Sequence, residues 1–193
     1  MNKTDFVNGR RRTQPPFFRA VVADARMFLA YRAEATEVTS PLKLVGHILR
    51  LSWVTDSFLA LVLYRAKARL QSLRVPIIPT IFHRLSMMFA QICIGSPVHI
   101  EPGVYIPHGQ VVIDGITQIR SGAVIAPWVT IGLRAGDFTG PTIGHGVNIG
   151  TGAKIIGPVV VGDTASIGAN SVVVKNVEPG STVVGVPARP IDK

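Results

Sequence analysis

The sequence predicts an α+β protein in which a basic helical region precedes a prism of short strands. Up to residue 93 the apolar residues recur at steps of three and four, and beyond it at steps of six. The charge divides at the same point. The first 93 residues hold 14 Lys and Arg against 5 Asp and Glu, and the rest holds 6 of each. We therefore predict a helical N-terminal region, 1–93, and a strand region with a C-terminal tail, 94–193.

Helices are predicted where the apolar residues have helical spacing, in the segments Phe18–Ala30, Leu44–Leu63 and Leu85–Phe89. The residues Thr39–Pro41 are typical of a helix start, with proline early in the first turn. The two prolines of RVPIIPT interrupt the pattern before the last helix. No motif in this region indicates chemistry.

The basic charge of the helical region has two interpretations. One is an anionic partner, such as a phospholipid surface, and the other is a set of helices with Arg-rich solvated faces. We favour the second, because no interleaving of aromatic and basic residues accompanies the charge. The same absence argues against a nucleic-acid partner, while a membrane surface stays open.

The one cysteine, Cys93, excludes a disulfide framework and a cysteine-based metal cluster, and it fits a reducing, cytoplasmic compartment. The first 18 residues lack the apolar segment of a secretory signal. The most apolar span, Val45–Tyr64, carries His47, Arg50 and Asp56, so we expect no transmembrane helix.

In the second region an aliphatic residue recurs at every sixth position, a period that fits neither a strand nor an α-helix. Glycine often follows the aliphatic residue. This period fits a coil of short straight faces, each of which points one side chain into a shared interior, with small residues at the corners. Three faces close a triangle, and stacked triangles make a prism. The positions are Ile94, Ile100, Ile106, Ile113, Ile119, Ile125, Ile131, Ile143, Ile149, Ile155, Val161, Ile167 and Val173.

The repeat from Ile94 to Ile191, about half of the chain, resembles the hexapeptide-repeat acyltransferases. The closing segment IGANSVVVKNVEPGSTVVGVPARPI is similar to the end of serine and sugar acetyltransferases, and the order of helices before the prism resembles serine acetyltransferase. The resemblance implies a left-handed parallel β-helix, acetyl-CoA as the acyl donor without a metal, and a homotrimer or a dimer of trimers with active sites between prisms.

The repeat slips by one residue within VYIPHGQVVIDG, so that Ile106 and Ile113 lie seven apart. In the resembling enzymes a histidine projects beside the acetyl-CoA groove, and His108 lies where that motif is expected. We predict that the extra residue bulges the turn and presents His108. An imidazole, with a pKa near 6.5, suits the removal of a proton from an attacking hydroxyl. A covalent route through Cys93 is disfavoured, because no basic residue adjoins it in sequence.

The chain departs from serine acetyltransferases at three positions: Pro107 replaces an aspartate, Gly140 a histidine, and Cys93 a further acid. We therefore expect an O-acetyltransferase that acts on a sugar hydroxyl, similar to the colanic acid enzyme of exopolysaccharide biosynthesis. Serine as the acceptor is the alternative, and a non-catalytic scaffold is the alternative of another class.

The resemblance also implies further site residues. Gly132, Thr151 and Ala169 stand at positions that line the pantetheine channel, and Lys175 or Arg189 are candidates to bind the nucleotide phosphates. The only long interruption of the repeat holds Arg134 and Asp137. These two are candidates to orient His108 or the acceptor, with solvated loop charges as the alternative.

Overall fold

Helices precede the strands in the described part of the chain, as predicted. The computed structural model describes residues 14–34 and 40–191. Within these ranges the helices are α1 (Phe17–Tyr31), α2 (Pro41–Val54), α3 (Asp56–Ser72) and α4 (Ile78–Ala90). Helix α2 starts at Pro41 with Ser40 as its N-cap, which confirms the predicted start. Thr39 and the first thirteen residues, which bear on the secretory-signal prediction, lie outside the described residues.

Short strands follow the helices without interruption by another helix in the described part of the chain. They are β1 (Cys93–Ile94), β2 (His99–Ile100), β3 (Val112–Ile113), β4 (Ile116–Ile119), β5 (Val124–Ile125), β6 (Thr130–Gly132), β7 (Thr139–Ile143), β8 (Asn148–Ile149), β9 (Lys154–Ile156), β10 (Val160–Val161), β11 (Ser166–Ile167), β12 (Val172–Val173), β13 (Thr182–Val184) and β14 (Arg189–Ile191).

The strands form three sheets, and the chain visits them in turn. The first sheet has the order β1-β3-β6-β9-β12, the second β10-β7-β4-β2, and the third β14-β13-β11-β8-β5. All pairs between coils are parallel, whereas β14 folds back antiparallel on β13. Every predicted aliphatic position from Ile94 to Val173 is buried. The three sheets are therefore the faces of the predicted prism, and the period of six is its structural repeat.

Helix α3 lies against the first coil and supplies hydrogen bonds to backbone groups of that coil. The buried Tyr64 donates its hydroxyl to the carbonyl of Val98 at 2.9 Å. Lys67 donates its ammonium group to the carbonyl of Ile94. Burial raises the pKa of Tyr64 to about 12 and lowers that of Lys67 to about 8. Both side chains thus satisfy backbone acceptors that have no preceding coil to pair with.

A buried ion pair joins helix α1 to this arrangement. Arg65 donates to both carboxylate oxygens of Asp24, at 2.9 and 3.1 Å. The same guanidinium donates to the carbonyls of Ile100 and Glu101. Asp24 in turn accepts the backbone N–H groups of Gly103 and Val104, at 2.8 and 3.2 Å. Both charges are therefore paired, and they bind backbone groups at the open end of the prism.

These contacts refine the interpretation of the basic charge. Arg65 and Lys67 are buried at 3% relative exposure each, so they belong neither to a solvated face nor to a surface for an anionic partner. Part of the positive charge of the helical region is used to complete the first coil. A single continuous core contains apolar residues of both regions, for example Phe58 and Ile106. The division at residue 93 stays a prediction.

No single helix among the described residues is long and apolar enough to cross a membrane. Helices α2 and α3 pass that test only as a pair, and they are bent by 114° at the break between them.

Replacement of Arg65 by Gln should lower the free energy of unfolding by about 3 kcal/mol or more, because it leaves the Asp24 carboxylate buried without its charged partner. Arg50 pairs with Glu34 at the surface, so Arg50→Gln should cost less than about 1 kcal/mol. Urea unfolding followed by circular dichroism measures both. Equal losses in the two variants would contradict a structural role for the buried pair.

Candidate active site

His108 lies in an open cleft between the prism and the helical region. Its side chain is exposed, as the slipped repeat predicts. The cleft has a volume of about 390 Å³. Its lining residues come from the start of α3, the end of α4 and two successive turns of the prism: Asp56, Met88, Phe89, Ala90, Gln91, His108, Gly109, Gln110, Pro127 and Trp128. The prism alone therefore does not make this cleft, because the helices form one of its walls.

The register of the coils locates the extra residue of the slip. The backbone N–H of Ile125 donates to the carbonyl of Tyr105, and that of Trp128 donates to the carbonyl of Gln110. Tyr105 pairs with Val124, and between this pair and the pair Gln110–Trp128 the first coil has four residues and the second three, so the first coil has one residue more. Gln110 and Trp128 share a left-handed backbone, with φ of 65° and 66°. The extra residue thus falls in the segment that contains His108.

Two helix ends fix the turn that bears His108. Ser57, at the start of α3, donates its hydroxyl to the carbonyl of Pro107 at 3.2 Å. The backbone N–H of Gln110 donates to the carbonyl of Ala90, at the end of α4, at 3.1 Å. A Cβ atom at Gly109 would lie 1.8 Å from that same carbonyl oxygen. The glycine after His108 is therefore required by the close approach of α4 rather than by the prism.

The predicted channel residues Thr151 and Ala169 lie on the same corner of the prism as His108. At this corner, between the third and the first sheet, Thr151 donates its hydroxyl to the carbonyl of Pro127 at 2.9 Å. The backbone N–H of Asn170 donates to the carbonyl of Thr151 at 2.8 Å. The side chains of Thr151 and Ala169 are exposed. The corner thus continues from the His108 cleft along the prism, one coil at a time.

Gly132, Arg134 and Asp137 lie at a different corner, between the first and the second sheet. Asp137 accepts the backbone N–H of Thr139 at 2.8 Å, and this bond lowers the pKa of its carboxyl group. The first sheet separates this loop from His108 within one chain. The predicted orienting role of Arg134 and Asp137 therefore stays a prediction, and it requires a second copy of the chain.

Lys175 and Arg189 share a groove at the opposite end of the prism from the helices. The groove has a volume of about 330 Å³ and is formed by the last coil together with β14. Arg189 donates to the carbonyl of Ala188 at 2.9 Å. The two predicted phosphate-binding residues are thus brought together by the structure, although they lie far apart from His108.

Cys93 is half-buried on β1. Burial and the neighbouring Asp114 carboxylate raise the pKa of its thiol, so the reactive thiolate is disfavoured. Among the described residues, no group of His, Cys, Asp and Glu side chains has the arrangement of a metal site.

Sequence analysis missed the helical side of the cleft. Asp56, Met88 and Phe89 are distant from His108 along the chain, and nothing in their local sequence indicates a site. Trp128 was also missed, although its position could have been found. It lies one coil after Gln110 at the corner that bears His108, and its side chain is 58% exposed.

No family model matches the chain. The chain is 36% identical over 138 residues to the serine acetyltransferase of Synechococcus elongatus, a match that covers 69% of this chain and 56% of that enzyme. It is 38% identical over 138 residues to the serine acetyltransferase of Helicobacter pylori strain J99, with 69% of this chain and 80% of that enzyme covered.

Solved structures with a similar fold are also serine acetyltransferases. A serine acetyltransferase in complex with CoA has a TM-score of 0.77 and 26% identity, and the match covers 97% of this chain and 75% of that one. The serine acetyltransferase of Neisseria gonorrhoeae in complex with serine has a TM-score of 0.76 and 27% identity, with 90% and 68% covered. The chain belongs to the serine acetyltransferase family. Membership confirms the predicted acyltransferase class and the left-handed β-helix.

The prediction of a sugar acceptor is wrong, as is the link to polysaccharide biosynthesis. The relatives and solved structures described above are serine acetyltransferases, which supports the alternative acceptor. The sugar acceptor was predicted from three positions, Cys93, Pro107 and Gly140, at which this chain lacks a residue of the serine enzymes. That prediction left out the helical wall of the cleft, which carries the polar residues Asp56 and Gln91. The scaffold alternative is likewise not supported by the relatives of this family.

Gly109→Ala should destabilise the protein by about 1–3 kcal/mol, because the added methyl group overlaps the Ala90 carbonyl and forces the turn away from α4. Gly132→Ala is the matched control. Its Cβ would meet no atom closer than 4.0 Å, so stability should be unchanged. Thermal unfolding measures both variants. Equal midpoints would contradict the requirement for glycine at position 109.

Proposed function

We propose that the protein is a serine O-acetyltransferase, which transfers the acetyl group of acetyl-CoA to the hydroxyl group of L-serine. The observation that carries the proposal is the likeness to the H. pylori serine acetyltransferase over four fifths of that enzyme. The exposed His108 in an open cleft supports it, because the reaction needs a base beside the acceptor. Acetyl-CoA and the single reduced cysteine fit the cytoplasmic location expected from the sequence.

In the proposed reaction His108 is the general base. Its imidazole removes the proton of the serine hydroxyl as the oxygen attacks the thioester carbonyl carbon. A tetrahedral intermediate forms, its carbon–sulfur bond breaks, and the proton passes from the imidazolium to the departing sulfur. The products are O-acetylserine and CoA. This route through His108 requires no covalent acetyl-enzyme intermediate. The raised pKa of the Cys93 thiol argues against such an intermediate at that residue.

The corner that continues from the His108 cleft is the proposed path of the CoA arm. Thr151 and Ala169 lie along it, and their small side chains leave room for the pantetheine chain. The coils stack about 4.8 Å apart, so the last coil lies on the order of 20 Å from the first. Lys175 and Arg189 in the terminal groove are the proposed partners of the nucleotide phosphates.

We propose a homotrimer, or a pair of trimers, in which each active site lies between two prisms. The separation of the candidate residues within one chain supports this assembly. His108 lies at one corner, whereas Gly132, Arg134 and Asp137 lie at another. A Cβ atom at Gly132 would contact nothing closer than 4.0 Å in its own chain. A neighbouring copy would bring the Arg134–Asp137 loop against the His108 cleft.

His108→Gln should lower the rate of serine acetylation by about a hundredfold or more, the scale expected for loss of a positioned base. The side chain is exposed, so stability should not change. Release of CoA measures the rate, and chromatography of O-acetylserine identifies the product. His99→Gln is the control for a general effect of histidine loss. Near-normal turnover of His108→Gln would exclude it as the base.

Light scattering should give the mass of three or six chains at micromolar concentration. A mixing experiment tests whether the site is shared between copies. The variants His108→Gln and Arg134→Gln/Asp137→Asn are each expected to lose activity. When they are refolded together, some sites should combine an intact histidine with an intact loop and recover turnover. A monomer mass, or no recovery in an oligomer whose separate variants are both inactive, would contradict the assembly.

A further inference from the structure

Asp56 is the one acidic residue among the described residues that line the His108 cleft. Of these, apart from Asp56 and His108, the side chains are apolar, amide or absent. The carboxylate comes from the first residue of α3, so it belongs to the helical region and not to the prism. A cleft with one imidazole and one carboxylate suits an acceptor that carries both a hydroxyl group and a positive charge.

The position of Asp56 relative to His108 is fixed through its neighbour. Ser57 is fully buried, and its hydroxyl bonds the carbonyl of Pro107, the residue before His108. The end of α4 holds the other side of the same turn through the carbonyl of Ala90. The carboxylate and the imidazole are therefore carried by two backbone segments that are bonded to each other. Such support keeps binding groups at a constant separation.

The carboxylate keeps acceptor capacity for a ligand. Oδ1 accepts the backbone N–H of Ser57 at 3.0 Å. In the described parts of the chain, Oδ2 accepts no hydrogen bond from the protein, and no ion pair joins Asp56 to His108. The side chain is exposed to the cleft. The two groups thus face a common space rather than each other.

We propose that Asp56 binds the ammonium group of the amino-acid acceptor while His108 takes the proton of its hydroxyl group. This inference rests on the proposed function and assigns the acceptor specificity of that site. In serine the ammonium and hydroxyl groups are on adjacent carbons, so two groups in one small cleft can contact both. A charge-assisted hydrogen bond to a carboxylate favours this acceptor over a neutral analogue.

Asp56 also has a structural role that the test must separate. An acidic residue in the first turn stabilises a helix through the helix dipole, and Oδ1 of Asp56 accepts the backbone N–H of the next residue, Ser57. Asp56→Asn keeps the size and one acceptor oxygen, and it replaces the charged carboxylate by a neutral amide. Asp56→Glu keeps the charge. A structural role would affect all acceptors equally, whereas ammonium binding affects only acceptors that carry the charge.

The experiment compares L-serine with 3-hydroxypropionate, which is serine without its ammonium group. Asp56→Asn should raise the KM for serine about tenfold or more, with a smaller effect on kcat, since a charged hydrogen bond to the acceptor is lost. The KM for acetyl-CoA and the rate with 3-hydroxypropionate should stay within about threefold of the wild type. Asp56→Glu, which keeps the charge, should retain part of the preference for serine over 3-hydroxypropionate. Asp163→Asn, an exposed acid at another corner, is the charge-matched control.

Equilibrium dialysis with radiolabelled serine tests the same contact without turnover. Binding to the wild type that weakens about tenfold in Asp56→Asn supports the inference. Equal dissociation constants in the two proteins, or no saturable binding to the wild type, overturn it. Serine that binds through Asp56 without being acetylated overturns the proposed function alone. Acetylation of serine with an unchanged KM in Asp56→Asn overturns only the role of Asp56.

Discussion

The fold depends on the hydrogen bonds that the helices make to the unpaired backbone groups of the first coil. Inside the prism each coil gives its backbone N–H and carbonyl groups to the coils on either side. In the described part of the chain the first coil has a neighbouring coil on one side only, so the carbonyl groups that point away from it would be buried against α3 without partners, at a cost of about 1–3 kcal/mol each. Tyr64, Arg65 and Lys67 supply the donors, and Asp24 balances the charge of Arg65.

The same contacts position the candidate site. Helix α3 brings Arg65 to backbone carbonyl groups of the first coil, and Ser57 in its first turn bonds the carbonyl of Pro107, the residue before His108. Helix α4 ends against Gly109, on the other side of that turn. The geometry of the cleft therefore follows from how the helices close the prism. A change in the buried ion pair would shift one wall of the cleft relative to the imidazole, even though Arg65 does not line it.

The sequence was sufficient to predict the prism and the position of His108, because both follow from a local repeat. The period of six marks each inward side chain, and the extra residue near His108 is visible as a break in that period. The acceptor could not be predicted in this way. Asp56 lies 52 positions before His108, and only the packing of α3 on the first coil brings the two together. The buried state of Arg65 and Lys67 was hidden for the same reason, since composition does not distinguish a solvated charge from a paired one.

The regular stacking of the coils fixes the spacing between the two ends of the prism in whole steps. Ser166 lies opposite Asn148, eighteen residues earlier, and Thr182 follows on the next coil. A coil contacts only its neighbours, so the gain or loss of one complete coil would leave the aliphatic interior and all three corners in register. It would change the distance from His108 to the groove of Lys175 and Arg189 by about 4.8 Å. Under the proposed function, the number of coils would therefore determine how long an acyl carrier can be while both of its ends are held.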